Sequence, residues 1–477
     1  MTLSTSPSPT PAAPARGRPA LLLTIVLLAQ FMSLLDVFIV NVAGPTLQAE
    51  LNASGGELQL IIAGYTIAYA VLLVTGARLG GRHGPGRLFL TGLALFTASS
   101  LACGLAGSTA TLVAARLAQG TGAALMLPQV LSLIQLTFAG QARIRALTGY
   151  AAVVATGAAA GQLAGGLLVS ADLFGWGWRA VFLVNVPIGV TLLFLVPRGL
   201  PLSRPAHTGR PRGLDPTGLL VLTTAVTLIT VPLVLGQERD WPLWCWLSLA
   251  AGAALAALLA HHSTRLAARG GEPLIAPRML TSPGMPLAVL RIFLTMAING
   301  GNLFVLSLHV QAPEAAGGLG YGALRAGLVF LPASLAFGAV SLLWRRVPAH
   351  RQPALPTTGL LLSAACLLAC GLLLRDGADI GVPTMTVFAL TGVALALAYG
   401  PTLTGALALV RPEDAADASG VTMMTTQLGM LTGIAAIGTL YLDRGDPWPA
   451  MVALALVATA AAAAGAVARP ATRVKRR

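Results

Sequence analysis

Long apolar runs follow one another along almost the whole chain, and they constrain the fold more than any other feature. Each run is close to the length of about 20 residues that an α-helix needs to cross a bilayer core, and short polar segments separate the runs. Only 10% of the residues are charged and 56% are hydrophobic, whereas soluble domains carry roughly a quarter charged residues. The composition excludes a water-soluble fold, and the runs lack the strict alternation of a membrane β-barrel. An all-α integral membrane protein with fourteen spans is predicted, at residues 20–42, 58–79, 88–106, 112–138, 147–169, 180–196, 218–235, 243–260, 287–310, 326–344, 357–374, 383–410, 419–442 and 449–468.

The basic residues are distributed unevenly between the two sides of this predicted array. The formal net charge is +14, but most of the 30 Lys and Arg residues fall in alternate connections, on the side that holds the N-terminus. Because basic loops stay in the cytoplasm, the pattern places both termini there and indicates topology in the inner or plasma membrane, not a nucleic-acid partner. The first run could be mistaken for a signal peptide, but its length and the polar residues Gln30, Asp36 and Asn41 predict a retained helix.

Two polar connectors divide the chain. A basic, proline-rich segment follows the sixth span and a polar segment precedes the ninth, so two spans lie between them. We therefore predict two six-helix bundles with an inserted pair. The expected units are a disordered tail at 1–19, an N-terminal bundle at 20–197, a linker with two extra helices at 198–286, a C-terminal bundle at 287–469 and a basic tail at 470–477.

Asp36 is the one acidic residue that this segmentation places inside a span. A carboxylate at the centre of a membrane helix costs roughly 2.5–3.5 kcal/mol on insertion scales, so such a residue is normally functional. A position at the lipid interface is the alternative, because the predicted helix ends six residues later. Arg116 and Arg291 also fall within spans. Snorkelling to the membrane surface is the alternative for Arg116 and the preferred interpretation for Arg291.

The residues around Asp36 resemble those of a known transporter family. The segment from Leu35 to Pro45 reads Leu-Asp-Val-Phe-Ile-Val-Asn-Val-Ala-Gly-Pro. It is similar to the Leu-Asp-x-x-x-Val-Asn-x-Ala-x-Pro signature of the fourteen-helix drug:proton antiporters of the major facilitator superfamily. The resemblance implies the major facilitator-type fold.

A second match lies in the fourth span. Arg116 is followed by Gln119, Gly120 and Gly122, and this pattern resembles motif B of that family, whose arginine is implicated in proton transfer. Counted from the predicted helix ends, Asp36 and Arg116 lie roughly 9 and 6 Å below the same membrane surface. An adjacent cation favours the ionised carboxylate and desolvation favours the neutral acid. Movement of Arg116 relative to Asp36 would therefore switch proton affinity.

The fifth span contains a stripe of glycines, which lets a neighbouring helix approach closely. The stripe resembles the antiporter motif C, Gly-x-x-x-Gly-Pro-x-x-Gly-Gly, with Gln162 at the position of the proline. The kink that proline gives to a helix is therefore not expected. The glycines are Gly157, Gly161, Gly165 and Gly166.

Two further segments bear on the resemblance. The segment from Trp178 to Gly189 reads Trp-Arg-Ala-Val-Phe-Leu-Val-Asn-Val-Pro-Ile-Gly and resembles the family's Trp-Arg-x-x-Phe-x-x-Asn-x-Pro-x-Gly almost completely.

Motif A, between the second and third spans, departs from the family, because Gly81 stands where the family has an aspartate. That loop is thought to form a charge-relay latch between the bundles, so the latch must be weaker or supplied elsewhere. The motif A residues of this chain are Gly76, Gly81, Arg82, Gly84 and Arg87.

No catalytic pattern accompanies these motifs. The histidines, among them His261 and His262, fall in predicted loops, with His309 at the end of a span, and we expect them to be solvated or interfacial. A Walker A loop needs a lysine, and the single lysine is Lys475 in the tail. The four cysteines show no metal-type pairing. We predict no enzyme activity, no metal and no cofactor other than the proton gradient.

These patterns predict a proton-coupled exporter of small lipophilic compounds, such as drugs or antibiotics, that acts as a monomer by rocking two bundles about a central site. Asp36 is the expected proton carrier and Arg116 its modulator. A dedicated exporter of a self-made metabolite or siderophore is one alternative, and a receptor or scaffold that has lost transport is another. Polar groups expected in the cavity, each able instead to join helices, are Gln30, Asn41, Asn299, Asn302 and Gln427.

The scarcity of membrane acids bears on the charge of the substrate. None of the predicted spans after residue 287 contains Asp or Glu. Because an unpaired buried charge costs several kcal/mol, we expect neutral or monovalent substrates to be preferred over dications.

Overall fold

The computed structural model describes residues 19–171, 175–202, 215–236, 239–271, 273–282, 284–314, 317–375, 380–408, 410, 414–442 and 444–467. The regular elements in these ranges are α-helices and short 3₁₀ turns. The α-helices are α1 Pro19–Leu51, α2 Gly55–His83, α3 Pro85–Gly104, α4 Thr109–Thr137, α5 Gly140–Ala171, α6 Ala180–Leu183, α7 Asn185–Gly199, α8 Pro216–Leu235, α9 Leu243–Ala268, α10 Pro277–Leu280, α11 Met285–Gln311, α12 Ala323–Leu343, α13 Leu355–Leu374, α14 Val382–Ala408, α15 Ala415–Leu442 and α16 Pro447–Val467.

The long helices account for the predicted array of spans. Within the described residues, thirteen helices are long and apolar enough to cross a membrane, and α6 and α7 together form one of them at Gly177–Gly199. The helix α5 is not among the thirteen. It is nevertheless 32 residues long and packs along α1, so it supplies the fourteenth long helical segment.

The helices that carry Asp36 and Arg116 are longer than the spans predicted for them. The helix α1 continues to Leu51, not residue 42, and α4 begins at Thr109, not residue 112. Asp36 and Arg116 therefore lie further from the ends of their helices than the apolar runs indicated, and their depths below the membrane surface stay a prediction. Helices extend beyond the apolar stretch because polar residues at their ends still satisfy the backbone hydrogen bonds.

The helices form two bundles with two seams between them. In the first bundle α4 packs against α2 and α3, and α1 packs against α5. In the second bundle α11 packs against α15, and α13 packs against α14 and α16. The seams are formed by α5 with α12 and by α2 with α15. A central space is left where the two bundles face each other.

The helices α8 and α9 pair with each other over the seam between α2 and α15. The helix α8 packs against both of them, and Val74 of α2 shares an apolar cluster with Leu222 and Leu259 of the pair. On the other side of the seam, Trp241 Nε1 donates a hydrogen bond to Thr439 Oγ1 at 2.8 Å. The inserted pair therefore contacts both bundles.

We call the side on which α1 begins the basic face; it comprises residues 78–87, 135–143, 198–202, 269–271, 273–282, 284 and 344–354. Close to this face the two bundles meet. Gln135 Nε2 donates to Ser419 Oγ at 3.2 Å, and the hydroxyls of Tyr69 and Tyr150 approach Met423 Sδ at 3.6 and 3.7 Å. These contacts close the central space toward the basic face.

The motif A segment is almost wholly helical. Gly84 alone separates α2 from α3, and its φ of 97° lies in the region that favours glycine. Gly76 has its backbone against the carbonyl of Ala124. Gly81 and Arg82 are exposed in the last turn of α2, and Arg87 Nε donates to Leu202 O at 2.7 Å.

The connector between α9 and α11 joins three parts of the molecule on the basic face. Arg78 of α2 donates from Nη2 to Pro273 O, and Arg278 Nη2 lies 3.0 Å from Asp414 Oδ1 beside α15. Leu274 N donates to Asp215 Oδ2 at 3.2 Å. The connector therefore ties the inserted pair to both bundles in the region where the motif A aspartate is replaced.

Asp215 is the N-cap of α8 and holds this connector. Its Oδ1 accepts from Gly218 N at 2.7 Å and lies 3.0 Å from His262 Nε2. Burial favours the neutral acid, but the hydrogen bonds from Gly218, His262 and Leu274 outweigh it and lower the pKa of Asp215 below its ordinary value. The prediction that His262 is a solvated loop residue is wrong, because α9 continues past it and places it beside Asp215.

Two other predictions about ionisable side chains are also wrong. Arg291 is buried and donates from Nη2 to Thr357 Oγ1 at 2.9 Å, so it binds α13 and does not snorkel. His309 is 1% exposed, and its Nδ1 lies 3.3 Å from Tyr441 OH. Both side chains lie near helix ends that neighbouring helices cover, and sequence spacing alone cannot show such cover.

Candidate functional site

Asp36 lies in a closed polar cluster within the first bundle. Its side chain is fully buried. Oδ2 accepts a hydrogen bond from Arg116 Nη1 at 2.6 Å, and Oδ1 accepts from Gln119 Nε2 and Asn185 Nδ2, each at 2.8 Å. One carboxylate thus receives one cationic and two amide donors. The interfacial alternative for Asp36 is excluded.

Arg116 is held from several directions and is 1% exposed. Its Nε donates to Ile61 O at 3.0 Å, and Nη1 donates to Gln119 Oε1 at 2.7 Å as well as to Asp36. The guanidinium carbon lies 4.9 Å from the centroid of the Tyr65 ring and 5.7 Å from that of Phe182. The charge is therefore compensated by an anion, carbonyls and aromatic faces, and the snorkelling alternative is excluded.

Gln119 connects the pair to α3. Its Nε2 donates to Ser100 Oγ at 2.8 Å in addition to Asp36, and Cys103 Sγ lies 3.9 Å from its Oε1. Both ends of this amide are occupied. Its orientation is fixed because a reversed amide would direct N–H groups at Arg116, which can only donate.

Asn185 enters the cluster from the opposite side. The helix α6 ends at Leu183 and α7 begins at Asn185, because Pro187 has no N–H to donate to the carbonyl four residues before it. The break sets Asn185 at the first position of α7, with its side chain fully buried and directed at Asp36. The sequence of this segment resembles the family pattern but does not show that Asn185 lies beside the carboxylate.

Glycines bring the helices of the cluster together. A Cβ at Gly120 would overlap the carbonyl of Tyr65, and one at Gly122 would lie 2.6 Å from Phe96 N. The helix α4 therefore packs directly on α2 and α3, which brings Arg116 and Gln119 to Asp36. The glycines of the motif B pattern serve this close approach.

The motif C glycines act in the same way between α5 and α1. A Cβ at Gly157 would lie 2.7 Å from Leu34 Cβ, and one at Gly161 would lie 2.8 Å from Leu35 O. Gly165 and Gly166 are buried as well. The helix α5 runs without interruption through position 162, although the side chain of Gln162 lies outside the described residues.

A cavity lies between the two bundles, beside the polar cluster. Four of the five predicted polar groups line it: Gln30, Asn299, Asn302 and Gln427. The fifth, Asn41, has its side chain outside the described residues. The other lining is largely apolar, with aliphatic, aromatic and methionine side chains, and the described side chains that line the cavity include no charged group. The aromatic and methionine lining is Phe38, Tyr65, Tyr69, Tyr150, Met296, Phe330, Phe337, Phe388, Tyr399, Met423 and Met430.

Tyr65 and Ser33 form the wall between the cavity and the Asp36 cluster. Both line the cavity, and their hydroxyls are joined by a hydrogen bond. The Tyr65 ring also contacts the Arg116 guanidinium. Tyr65 therefore lies between the cavity that it lines and Arg116, which is the ion-pair partner of Asp36.

Comparison with known protein families gives a match over most of the chain. A family model for the Major Facilitator Superfamily matches residues 26–434. A probable actinorhodin transporter of Streptomyces coelicolor is 37% identical over 88% of this chain and 72% of its own length. The cephamycin export protein of Amycolatopsis lactamdurans is 36% identical over 88% of this chain and 84% of its own length. The methylenomycin A resistance protein of Streptomyces coelicolor is 32% identical over 96% of this chain and 94% of its own length.

Solved structures share the fold at low sequence identity. The proton:xylose symporter XylE aligns with a TM-score of 0.64 and 14% identity over 93% of this chain and 94% of its own. The human organic anion transporter MFSD10 aligns with a TM-score of 0.64 and 14% identity over 94% of this chain and 99% of its own. At this level of identity the likeness concerns the architecture of the helices.

Proposed function

The chain belongs to the major facilitator superfamily, and we propose that it is a proton-coupled antiporter that exports small lipophilic molecules across the plasma membrane. It is a multi-pass efflux transporter, built as two six-helix bundles with an inserted pair. The observation that carries the proton-coupled part of the proposal is the buried Asp36–Arg116 pair, which lies behind Tyr65 at the wall of an uncharged aromatic cavity.

Asp36 is the proposed proton carrier. A carboxylate buried without water would be costly, and Arg116 with the two amides offsets that cost while the acid is ionised. A proton that binds Asp36 removes the charge that holds Arg116 in place, and the guanidinium then rearranges against Tyr65. Protonation of Asp36 would in this way change the position of the Tyr65 ring, which lines the cavity.

The topology belongs to the proposal as well. The basic face would be cytoplasmic, with both termini on that side, because basic connections are retained there. The structure would then represent a state closed toward the cytoplasm by the contacts of Met423 and Gln135. Transport would follow from rocking of the two bundles, with the chain acting as a monomer, no metal or organic cofactor and the bilayer as its surroundings.

The cavity fits neutral, largely apolar and aromatic substrates. Aromatic rings and methionine sulfur contact flat apolar molecules well, and the amides of Asn299, Asn302 and Gln427 offer hydrogen bonds to oxygen-bearing groups. Relatives are described as exporters of, or resistance proteins for, actinorhodin, cephamycin and methylenomycin A. These names favour an antibiotic as the second, more specific candidate substrate.

Flux in proteoliposomes tests the proposal. Purified protein is reconstituted, a pH gradient is imposed, and movement of a lipophilic fluorescent substrate is followed as the gradient is varied. We expect flux that follows the gradient and stops when a protonophore collapses it. Flux that is indifferent to the gradient would contradict proton coupling, and absence of flux for any lipophilic compound would favour the receptor or scaffold alternative.

A further inference from the structure

The groups that face Asp36 are all hydrogen-bond donors. They suit an ionised carboxylate, but they offer no acceptor to the O–H of a protonated one. Oδ2 faces Arg116, which can only donate. Oδ1 faces the Nδ2 group of Asn185 and the Nε2 group of Gln119, which also donate. A proton on Asp36 would therefore point at another donor unless one of the two amides turns.

Gln119 is the amide that cannot turn without loss. Its Oε1 accepts from Arg116 at 2.7 Å and its Nε2 donates to Ser100 at 2.8 Å. Reversal would set two N–H groups against a guanidinium and would leave the hydroxyl of Ser100 to reorganise. Three favourable contacts hold this side chain in one orientation.

Asn185 is the amide that can turn. Its Nδ2 donates to Asp36, while its Oδ1 is buried and has no hydrogen-bond partner among the described residues. A buried acceptor that is left unpaired is costly. Neither Asn185 nor Asp36 is exposed to water. A half turn about the Cβ–Cγ bond exchanges the two ends and directs the free acceptor at Asp36.

We propose that Asn185 is a positioning residue that turns its side-chain amide when Asp36 binds the transported proton. With Asp36 ionised, the Nδ2–H of Asn185 donates to the carboxylate. With the proton on Oδ1, the Asp36 O–H donates to Asn185 Oδ1 in its turned orientation. No covalent bond other than the O–H of the carboxylic acid forms. The turn pairs the buried Oδ1 of Asn185 and moves its Nδ2 group to the position that Oδ1 had occupied. This proposal rests on the proposed function, because it takes Asp36 as the proton carrier.

The other ionisable groups around Asp36 do not replace this acceptor. Arg116 of α4 is a donor throughout. On α2, the hydroxyl of Tyr65 is joined to Ser33. On α3, the Cys103 thiol faces Gln119. From α7 the neighbour of the carboxylate is Asn185 itself.

Infrared difference spectroscopy on the reconstituted, full-length protein tests the proposal. The chain has five asparagines, so asparagine carrying ¹³C in its side-chain carbonyl, introduced by cell-free synthesis, gives few label bands. Spectra are recorded across a pH titration. The carboxyl band of Asp36 is assigned in unlabelled protein by its loss in Asp36→Asn, and the band of Asn185 by its loss in Asn185→Leu and, as a second variant closer in shape, Asn185→Asp.

We expect the Asn185 carbonyl band to move to lower wavenumber, as a carbonyl does when it accepts a hydrogen bond, at the same pH midpoint at which the Asp36 carboxyl band appears. Asn299→Leu, which removes a cavity asparagine away from Asp36, should retain this coupled change. An Asp36 band that titrates while the Asn185 band stays fixed would overturn the turning amide and leave the proton carrier intact. Absence of a titrating Asp36 band would instead refute the proposed function on which the inference rests.

Discussion

At the scale of single residues, the cluster around Asp36 combines groups that come from four different parts of the chain. The carboxylate, the guanidinium and two amides lie on α1, α4 and α7, and Ser100 on α3 completes the set. Each polar atom that faces Asp36 has a defined donor role. A change of one proton therefore changes the preferred geometry of several side chains.

Arg116→Ala should impair proton coupling more than membrane insertion. Removal of a charge from a span eases insertion, but it leaves Asp36 without its cation, and breaking a buried pair typically costs 3–5 kcal/mol of stability. Arg116→Lys serves as the matched variant, since lysine keeps the charge but cannot reach Ile61, Asp36 and Gln119 together. We expect at least tenfold slower gradient-driven flux for both, measured in proteoliposomes. A wild-type dependence of flux on pH in Arg116→Ala would refute the role of the pair.

The two charges of the cluster could be predicted from the sequence, but the whole cluster could not. Asp36 and Arg116 stand out because a charge within an apolar run is costly. Asn185 does not stand out in this way, since an asparagine near a helix break is common. Its position depends on how the segment around Pro187 packs across the bundle, and that packing is decided by tertiary contacts.

At the scale of helices, close packing in the first bundle depends on a few glycines. Gly122→Ala should destabilise the protein by about 1–3 kcal/mol, because the new methyl group overlaps the backbone of Phe96 on α3. Gly405→Ala is the matched control: it lies in α14 with open space around its Cβ position. That change should leave stability equal or raise it by about 0.5–1 kcal/mol. Thermal unfolding in detergent measures both, and an equal effect of the two substitutions would contradict the packing argument.

The N-cap of α8 gives a prediction on pH. The folded-state pKa of Asp215 lies below its ordinary value of 3.8, so the ionised carboxylate stabilises the fold at every pH above that value. This contribution is lost as the pH falls through the lower, folded-state pKa. Asp215→Ala should cost about 1–2 kcal/mol at neutral pH. The difference in unfolding temperature from wild type should shrink only in strongly acidic buffer, and a constant difference down to pH 2 would speak against an ionised Asp215.

The extent of the helices was predicted less well than their number. Apolar runs mark the part of a helix that lies in the hydrocarbon core, and they do not report the turns beyond it. The extension of α1 to Leu51 and of α9 past His262 is of this kind. The contact of the connector at 273–280 with Arg78 and Asp414 was likewise absent from the sequence pattern, since it depends on where the inserted pair packs.

At the scale of the whole molecule, the charge of the cavity lining predicts which substrates are preferred. The cavity presents aromatic, methionine and amide groups, and its described lining includes no acid. A dication would lack a compensating carboxylate, because Asp36 lies behind Tyr65 and is paired with Arg116. Neutral and monovalent lipophilic compounds should therefore be exported in preference to dications.

A resistance assay in a host that lacks its own pumps tests this preference. Matched quaternary ammonium compounds with one and with two charges are compared at equal lipophilicity. Protection should be several-fold greater against the monovalent series. Equal or better protection against the divalent series would show that an acid reaches the cavity in another state of the transporter.

The central claim is that one buried carboxylate links the proton gradient to export, and the most direct measurement is gradient-driven flux in proteoliposomes for wild type and Asp36→Asn. The amide is nearly isosteric with the carboxylate, so the variant should still fold and insert, with an unfolding temperature lowered by the loss of the buried pair. Wild type should move both protons and substrate, with flux rising as the pH gradient steepens. Asp36→Asn should show no gradient-driven flux above protein-free liposomes. Gradient-driven flux in Asp36→Asn equal to that of wild type would contradict the account.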